Sequence, residues 1–175
     1  MGVARRPPDG GRQIFGFPFD LLEHPLTALV HDESAPMRAL FERIAREAAV
    51  RIGGVIEQAA AKDVDQRGEI FLRDLFSGEI VRISEYRGRA AGGCRLDYDG
   101  LAHCCALVLT SLPRCDAILL NKFGKIEAEG GGFRCALSDA LALGVPAVIG
   151  VPRRNLAAWR EYAGDLAREL DVVGG

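Results

Sequence analysis

The most restrictive feature of this sequence is an apolar run of strand length that ends abruptly in charged residues. Residues 116–120 read Asp-Ala-Ile-Leu-Leu. The polar and charged residues that follow are Asn121, Lys122, Lys125, Glu127 and Glu129. Such a run predicts a short buried strand. Ligands bind at the carboxyl ends of strands in open parallel sheets, so the loop after this strand is the first candidate for a functional site.

Strand-like and helix-like segments alternate along most of the chain. The predicted strands lie at 26–30, 51–57, 116–120 and 146–151. The predicted helices run from about 36 to 49, 98 to 112, 131 to 143 and 155 to 170. Two further segments, 69–75 and 79–84, have the pattern of a β-hairpin. This order predicts an α/β fold with three layers, α/β/α, in which a mainly parallel sheet carries a hairpin insertion.

Length and composition indicate one folded domain after an N-terminal arm. Residues 1–24 are rich in Gly, Pro and Arg, without a sustained period, and predict a flexible arm. Residues 25–175 are expected to form a single domain, because 175 residues with 49% hydrophobic content suffice for one core. In the first helix, Asp32 or Ser34 is predicted to cap the N-terminus close to Pro36.

Charge and hydropathy exclude several classes of partner. A formal net charge of -2 provides no basic field for nucleic acid. The apolar runs are too short to cross a bilayer, and the residues after Arg5 and Arg6 do not form a signal peptide. We therefore expect a cytoplasmic protein with no membrane span and no nucleic-acid partner. A protein partner or a homo-oligomer stays open.

The cysteines do not predict a disulfide framework or a metal site. The five cysteines are Cys94, Cys104, Cys105, Cys115 and Cys135. Their number is odd and CxxC spacing is absent. His103 precedes an adjacent cysteine pair, but neighbouring residues on a helix point in different directions. We expect small buried side chains and one surface thiol.

Two segments are candidate anion-binding sites. Lys122 and Lys125 could hold an oxyanion such as molybdate or a phosphate group, whereas the alternative is a solvated loop with weak local ion pairs. In this loop Glu127 is either a general base or a first-turn helix residue favoured by the helix dipole. The second segment is Gly92-Gly93-Cys94-Arg95, where Arg95 would donate to an anion and Cys94 would supply a thiol. Its alternative is a flexible entry to the next helix.

Several motifs resemble those of a known group of proteins. They are Gly53-Gly54-Val55-Ile56-Glu57-Gln58, Leu72-Arg73-Asp74-Leu75 with Ser77-Gly78-Glu79, Gly93-Cys94-Arg95-Leu96-Asp97, and Asn121-Lys122-Phe123-Gly124-Lys125 with Glu127-Ala128-Glu129-Gly130. From about 26 to 164 the chain resembles a bacterial family of uncharacterised small proteins often encoded beside molybdate transport genes. That family is similar in turn to the cancer-related/thermophilic-type P-loop nucleoside-triphosphatases. The resemblance implies a P-loop NTPase-like topology and a link to molybdenum or another oxyanion.

The chain departs from a working nucleotide site at both places that the resemblance points to. A phosphate-binding loop needs glycines and a lysine before its helix, but residues 31–36 read His-Asp-Glu-Ser-Ala-Pro. The carboxylates of Asp32 and Glu33 would repel a triphosphate. At the tip of the 116–120 strand, Asn121-Lys122 replaces the acidic pair that serves magnesium in the triphosphatases. We therefore expect degenerate Walker motifs and no Mg–ATP.

Three functions remain open. The first is a non-hydrolysing accessory protein that binds a small oxyanion, in which Lys122 pairs with Asp32 or Glu33 and closes the former phosphate site. The second is a nucleotide hydrolase with a rebuilt site, in which Glu127 acts as the base and Lys122 and Lys125 contact phosphate. The third is a structural partner of a transporter or of a cofactor-assembly protein.

Overall fold

The computed structural model describes residues 24–59, 69–86 and 94–172. Its strands are β1 (Leu26–His31), β2 (Ile52–Gln58), β3 (Phe71–Asp74), β4 (Ile80–Arg82), β5 (Ser84–Tyr86), β6 (Cys94–Leu96), β7 (Ala117–Leu120), β8 (Ala147–Pro152) and β9 (Ala167–Val172). Its helices are α1 (Met37–Glu47), α2 (Tyr98–Ser111), α3 (Lys125–Ala128), α4 (Arg134–Leu143) and α5 (Leu156–Ala163). The predicted arm, apart from its last residue, lies outside the described residues.

A seven-stranded sheet forms the middle layer, in the order β4-β3-β2-β7-β8-β1-β9. The strands from β2 to β9 in this order run parallel, and β3 and β4 continue the sheet antiparallel beyond β2. β5 and β6 pair separately as a two-stranded sheet. The architecture confirms the predicted mainly parallel sheet and its hairpin.

Alternate side chains of the central strands point into two apolar layers. In β7, Ile118 and Leu120 face the larger core, in which α2, α4 and α5 pack, while Leu119 faces the smaller one. The smaller core is closed by α1, whose Leu40, Phe41 and Ile44 are buried. Because both faces of the sheet are covered, the strands read as apolar runs rather than as alternating ones.

The two helices that follow the first and sixth strands begin differently. The N-cap position of α1 is Pro36, and no side chain caps it, so the prediction of Asp32 or Ser34 as the cap is wrong. At α2, the Asp97 carboxylate accepts hydrogen bonds from the amides of Asp99 and Gly100. Such a cap supplies partners for amides that the helix itself leaves unbonded.

The last predicted helix is wrong in its second half. α5 ends at Ala163, and residues 167–172 form β9, which pairs parallel with β1. The chain turns at Gly164, whose φ of 52° favours glycine and stops the helix. The predicted helix over 131–143 likewise begins later, at Arg134, after the short α3. In the described ranges, no helix is long and apolar enough to cross a membrane.

Candidate functional site

The carboxyl ends of β1, β7 and β8 meet at one edge of the sheet. β8 lies between the other two, with His31 opposite Pro152 and Leu120 opposite Ile149. The segments that leave this edge are therefore neighbours: 32–36, 121–124 and 153–155. We refer to them together as the carboxyl-edge site. Loop residues distant in sequence converge there because parallel strands end on the same side.

The turn after β1 carries two carboxylates, each paired with an arginine that follows β8. Arg153 Nε lies 3.3 Å from Asp32 Oδ1, and another nitrogen of this guanidinium lies 2.7 Å from Asp171 Oδ1. Arg154 pairs with Glu33. The hypothesis that Lys122 pairs with Asp32 or Glu33 is therefore wrong. Arginines of the β8 tip reach these carboxylates first, because β8 is the strand next to β1.

Asn121 and Phe123 connect the loop after β7 to the strands on either side. Its side-chain oxygen accepts a hydrogen bond from the Glu57 amide at 3.2 Å. Phe123 donates its amide to the Gly150 carbonyl at 2.7 Å, and the Asn155 side chain donates to the Phe123 carbonyl at 2.9 Å. These bonds fix the loop on both sides. The side-chain oxygen of Asn121 is therefore already bonded to backbone.

The two lysines of the loop have different surroundings. Lys125 is 86% exposed and pairs with Glu129 at 3.7 Å, a typical solvated i,i+4 pair on α3. Lys122 is exposed and has no ion pair within the described part of the chain. Its charge acts on His31, and its Cε lies beside Gly124. Among the described residues of the carboxyl-edge site, Lys122 is therefore a cation that is not engaged in an ion pair.

His31 lies buried beneath these charges. Its Nδ1 is 3.0 Å from the Asp32 carbonyl oxygen. Burial lowers the pKa of His31, and the positive charges of Lys122 and Arg154 lower it further, against an opposing effect of the bond to Asp32. The imidazole is therefore neutral at pH 7. His31 thus feels the charges of Lys122 and Arg154 and, in the opposite direction, the charge of Asp32.

The lowered pKa of His31 predicts a loss of stability in mild acid. Below the unfolded-state value of 6.5, the unfolded chain binds a proton that the folded chain resists. Stability from this group is present above that pH and is lost as the pH falls below it. Urea unfolding from pH 7 to 5 should show this loss, and His31→Gln should reduce the slope. An identical slope in the variant would contradict the assignment.

Glu127 is a buried carboxylate in α3, and both of its oxygens have backbone partners. Oε2 accepts from the Gly124 amide at 2.8 Å, and Oε1 accepts from the Phe133 amide at 3.0 Å. A Cβ at Gly132 would lie 2.0 Å from Oε1, so the chain encloses the carboxylate closely. The arrangement ties the start of α3 to the segment before α4. It gives Glu127 a structural role that competes with the predicted role of base.

Arg134 closes the same region from the other side. Its guanidinium donates to the carbonyls of Glu127 and Ala128 and stacks over the rings of Phe123 and Tyr162. Phe123 also packs edge-on against Trp159, with the ring centroids 5.3 Å apart. The β7 loop is thus held by an aromatic cluster beneath it. Trp159 and Tyr162 both pack against Phe123 in this cluster.

Sequence reasoning missed Arg153 and Arg154 as members of the carboxyl-edge site and His31 as the buried residue next to it. Both arginines directly follow a buried strand, and His31 ends one, so the strand-end rule could have found them. Ser34 lies in the turn after β1, as expected. Cys94 and Arg95 belong to β6, but their side chains are outside the described part of the molecule, so their anion-binding role stays a prediction.

Comparisons with known proteins agree with this architecture. A solved structure described as THEP1 from the hyperthermophile Aquifex aeolicus superimposes with a TM-score of 0.61. The match covers 85% of this chain and 90% of that chain, at 13% sequence identity. At this identity the similarity shows the fold alone. The sheet and its covering helices therefore have the P-loop NTPase fold.

A curated relative is more similar in sequence. Over 140 residues the chain is 31% identical to the Molybdenum import ATP-binding protein ModC 2 of Bradyrhizobium diazoefficiens. The aligned region is 79% of this chain but only 16% of that protein. A family model for proteins of unknown function matches residues 26–173, which span β1 to the end of β9. The chain therefore belongs to the DUF2478 family.

Proposed function

We propose that this protein is a non-hydrolysing, NTPase-like domain that binds a small oxyanion at the carboxyl-edge site. One observation carries the proposal. The place of a phosphate loop holds Asp32 and Glu33, each paired with an arginine, and the place of a magnesium carboxylate holds Asn121. The carboxylates have the wrong sign of charge for a triphosphate, and the neutral Asn121 lacks the negative charge that holds magnesium.

A triphosphate would meet repulsion at the turn after β1. This turn has no glycine or lysine, and Pro36 lacks the amide hydrogen that a phosphate loop would donate. The Asn121 side-chain oxygen already accepts the Glu57 amide, so binding a cation would have to displace that bond. These features argue against Mg–ATP binding in the usual position. They do not oppose a smaller anion at the neighbouring cations.

Cations at the strand tips support an anion site. The charges of Lys122 and Arg154 both act on His31, and Arg153 precedes Arg154 at the end of β8. The arginine–carboxylate pairs are exposed, with side-chain exposures of 49% and 55% for the two arginines. Exposed pairs of this kind are weak, so their arginines are available to an incoming oxyanion. Lys122 would supply the first contact.

Molybdate is the oxyanion that we expect this site to bind. The relative whose name refers to molybdenum import shares 31% identity over most of this chain. Molybdate is a tetrahedral dianion, as are sulfate and tungstate, and it suits a cluster of Lys and Arg donors. As an accessory protein, the domain would act in the cytoplasm with a protein partner, for which the exposed hairpin side chains Phe76 and Ile80 are available.

Nucleotide hydrolysis with Glu127 as base has less support. A general base must reach the proton that it removes, and both Glu127 oxygens point to backbone amides in a buried position. We expect no magnesium-dependent release of phosphate from ATP or GTP. If phosphate is released, and if Glu127→Gln abolishes this release while the protein stays folded, the hydrolase hypothesis would be supported instead.

The anion site is tested by thermal-shift titration of the full chain with molybdate, tungstate, sulfate, phosphate and Mg–ATP. At ten times its dissociation constant, a ligand of the folded state adds roughly 1.4 kcal/mol, which raises Tm by about 3–6 °C. We expect this shift with molybdate and none with Mg–ATP. Lys122→Ala should lose the shift, whereas Lys125→Ala, which removes the same charge from α3, should keep it. A shift by Mg–ATP alone would contradict the proposal.

A further inference from the structure

Two cysteines from different helices lie in direct contact beside the Glu127 segment. Cys105 belongs to α2 and Cys135 to the first turn of α4. Their sulfur atoms are 2.7 Å apart, and both lie near the Gly132 carbonyl oxygen, at 3.7 and 3.4 Å. A disulfide bond is about 2.05 Å long, so bond formation needs a movement of less than about 1 Å.

We propose that Cys105 and Cys135 form a reversible disulfide when the protein is exposed to a peroxide. This modification site is independent of the anion site. Cys135 is exposed at the surface, whereas Cys105 is 9% exposed and faces it from the core. One accessible thiol beside one sheltered partner is the arrangement of a redox-sensing pair, in which the accessible thiol is oxidised and the other resolves it.

The reaction balances with hydrogen peroxide as the oxidant. The Cys135 thiolate attacks one peroxide oxygen, the O–O bond breaks, and the leaving hydroxide takes a proton and becomes water. The Cys105 sulfur then attacks the sulfur of the Cys135 sulfenic acid. An S–S bond forms, the S–O bond breaks, and the second hydroxide leaves as water with the Cys105 proton. Two thiols and one peroxide give one disulfide and two waters.

The surroundings assign the two roles. Burial, followed by the contact with Cys135, raises the pKa of Cys105 to about 12, so Cys105 stays a thiol at neutral pH. A thiol is a poor nucleophile toward peroxide, and Cys105 is also shielded from it. Cys135 therefore reacts first. Cys105 reacts second because it already touches the sulfur that has been oxidised.

A bond between these residues would join α2 to the segment that encloses Glu127. The two cysteines are 30 positions apart, and Gly132, whose carbonyl they share, packs against the Glu127 carboxylate. Crosslinking a loop of this length restricts the unfolded chain and stabilises the fold. Oxidation would therefore rigidify the region behind the carboxyl-edge site.

The test treats the reduced full chain with hydrogen peroxide, blocks free thiols and maps tryptic peptides. We expect a link between the peptides 96–114 and 135–153, a mass loss of about 2 Da, and a Tm about 5–10 °C higher. Dithiothreitol should reverse all three changes. Because Cys104 shares a peptide with Cys105, Cys104→Ser must keep the link, whereas Cys105→Ser and Cys135→Ser must each lose it.

Two results would overturn the disulfide. One is a link that persists in Cys105→Ser, which would assign the bond to Cys104. The other is oxidation of the parent that stops at a sulfinic or blocked Cys135 with no link between the peptides. Cys135→Ser changes a surface position, so this variant keeps the test valid even if Cys105→Ser folds poorly.

Discussion

Glu127→Ala is expected to lower the free energy of unfolding by about 3–5 kcal/mol, because two buried amides would lose their acceptor and a cavity would open. These amides belong to Gly124 and Phe133, at 2.8 and 3.0 Å from the carboxylate. Glu127→Gln should cost less, since its amide oxygen can still accept one of the two bonds. Urea unfolding monitored by Trp159 fluorescence would measure both variants.

Glu129 provides the matched control for this prediction. It lies two positions further on, is 65% exposed and pairs only with the exposed Lys125 among the described residues. Glu129→Ala should leave the unfolding midpoint close to that of the parent. If Glu127→Ala unfolds at the same urea concentration as Glu129→Ala, the structural role assigned to the buried carboxylate is wrong.

Gly54→Ala is expected to be at least as damaging, with a loss of about 4 kcal/mol or more. Gly54 lies in β2 with φ of 94°, and a Cβ there would lie 1.9 Å from the Leu119 carbonyl oxygen of β7. The clashing atom belongs to the backbone of the central sheet, so it cannot move aside as the end of a flexible side chain could. We expect the variant to accumulate as insoluble protein or to show a much lower Tm in circular dichroism.

Gly78→Ala separates the effect of a steric clash from the effect of backbone strain. Gly78 also has positive φ, 78°, but an added Cβ meets no heavy atom within 4 Å. Strain alone costs roughly 1–2 kcal/mol. A Gly54→Ala protein no less stable than Gly78→Ala would mean that β2 and β7 are not packed as closely as described.

Much of this fold follows from local patterns in the sequence. The 116–120 run predicts β7, since four consecutive apolar residues between polar ones suit a strand buried on both faces. The 69–84 hairpin follows from two short apolar segments around Ser77-Gly78. β9 did not follow, because Leu166 and Leu170 continue the helical spacing of α5. The helix ends because Gly164 has a positive φ, whereas the leucine spacing continues beyond it.

The candidate site was predictable in position but not in pairing. The strand-end rule placed Asn121 and Lys122 at the carboxyl edge of the sheet, directly after β7. The ion-pair partner of Asp32, however, depends on the order of the strands, because Arg153 is 121 positions away in the sequence. The role of Glu127 had a local signal, since a glutamate three residues after Gly124 has capping-box spacing. The Cys105–Cys135 contact had no local signal in the sequence, because it joins two separate helices.

Isothermal titration calorimetry of the full chain distinguishes oxyanion binding from nucleotide binding. The parent and Lys122→Ala are each titrated with molybdate and, in separate runs, with ATP in excess magnesium. We expect saturable heat for molybdate with the parent, none with Lys122→Ala, and none for Mg–ATP with either protein. Saturable Mg–ATP binding that is unaffected by Lys122→Ala, with no heat from molybdate, would contradict this expectation.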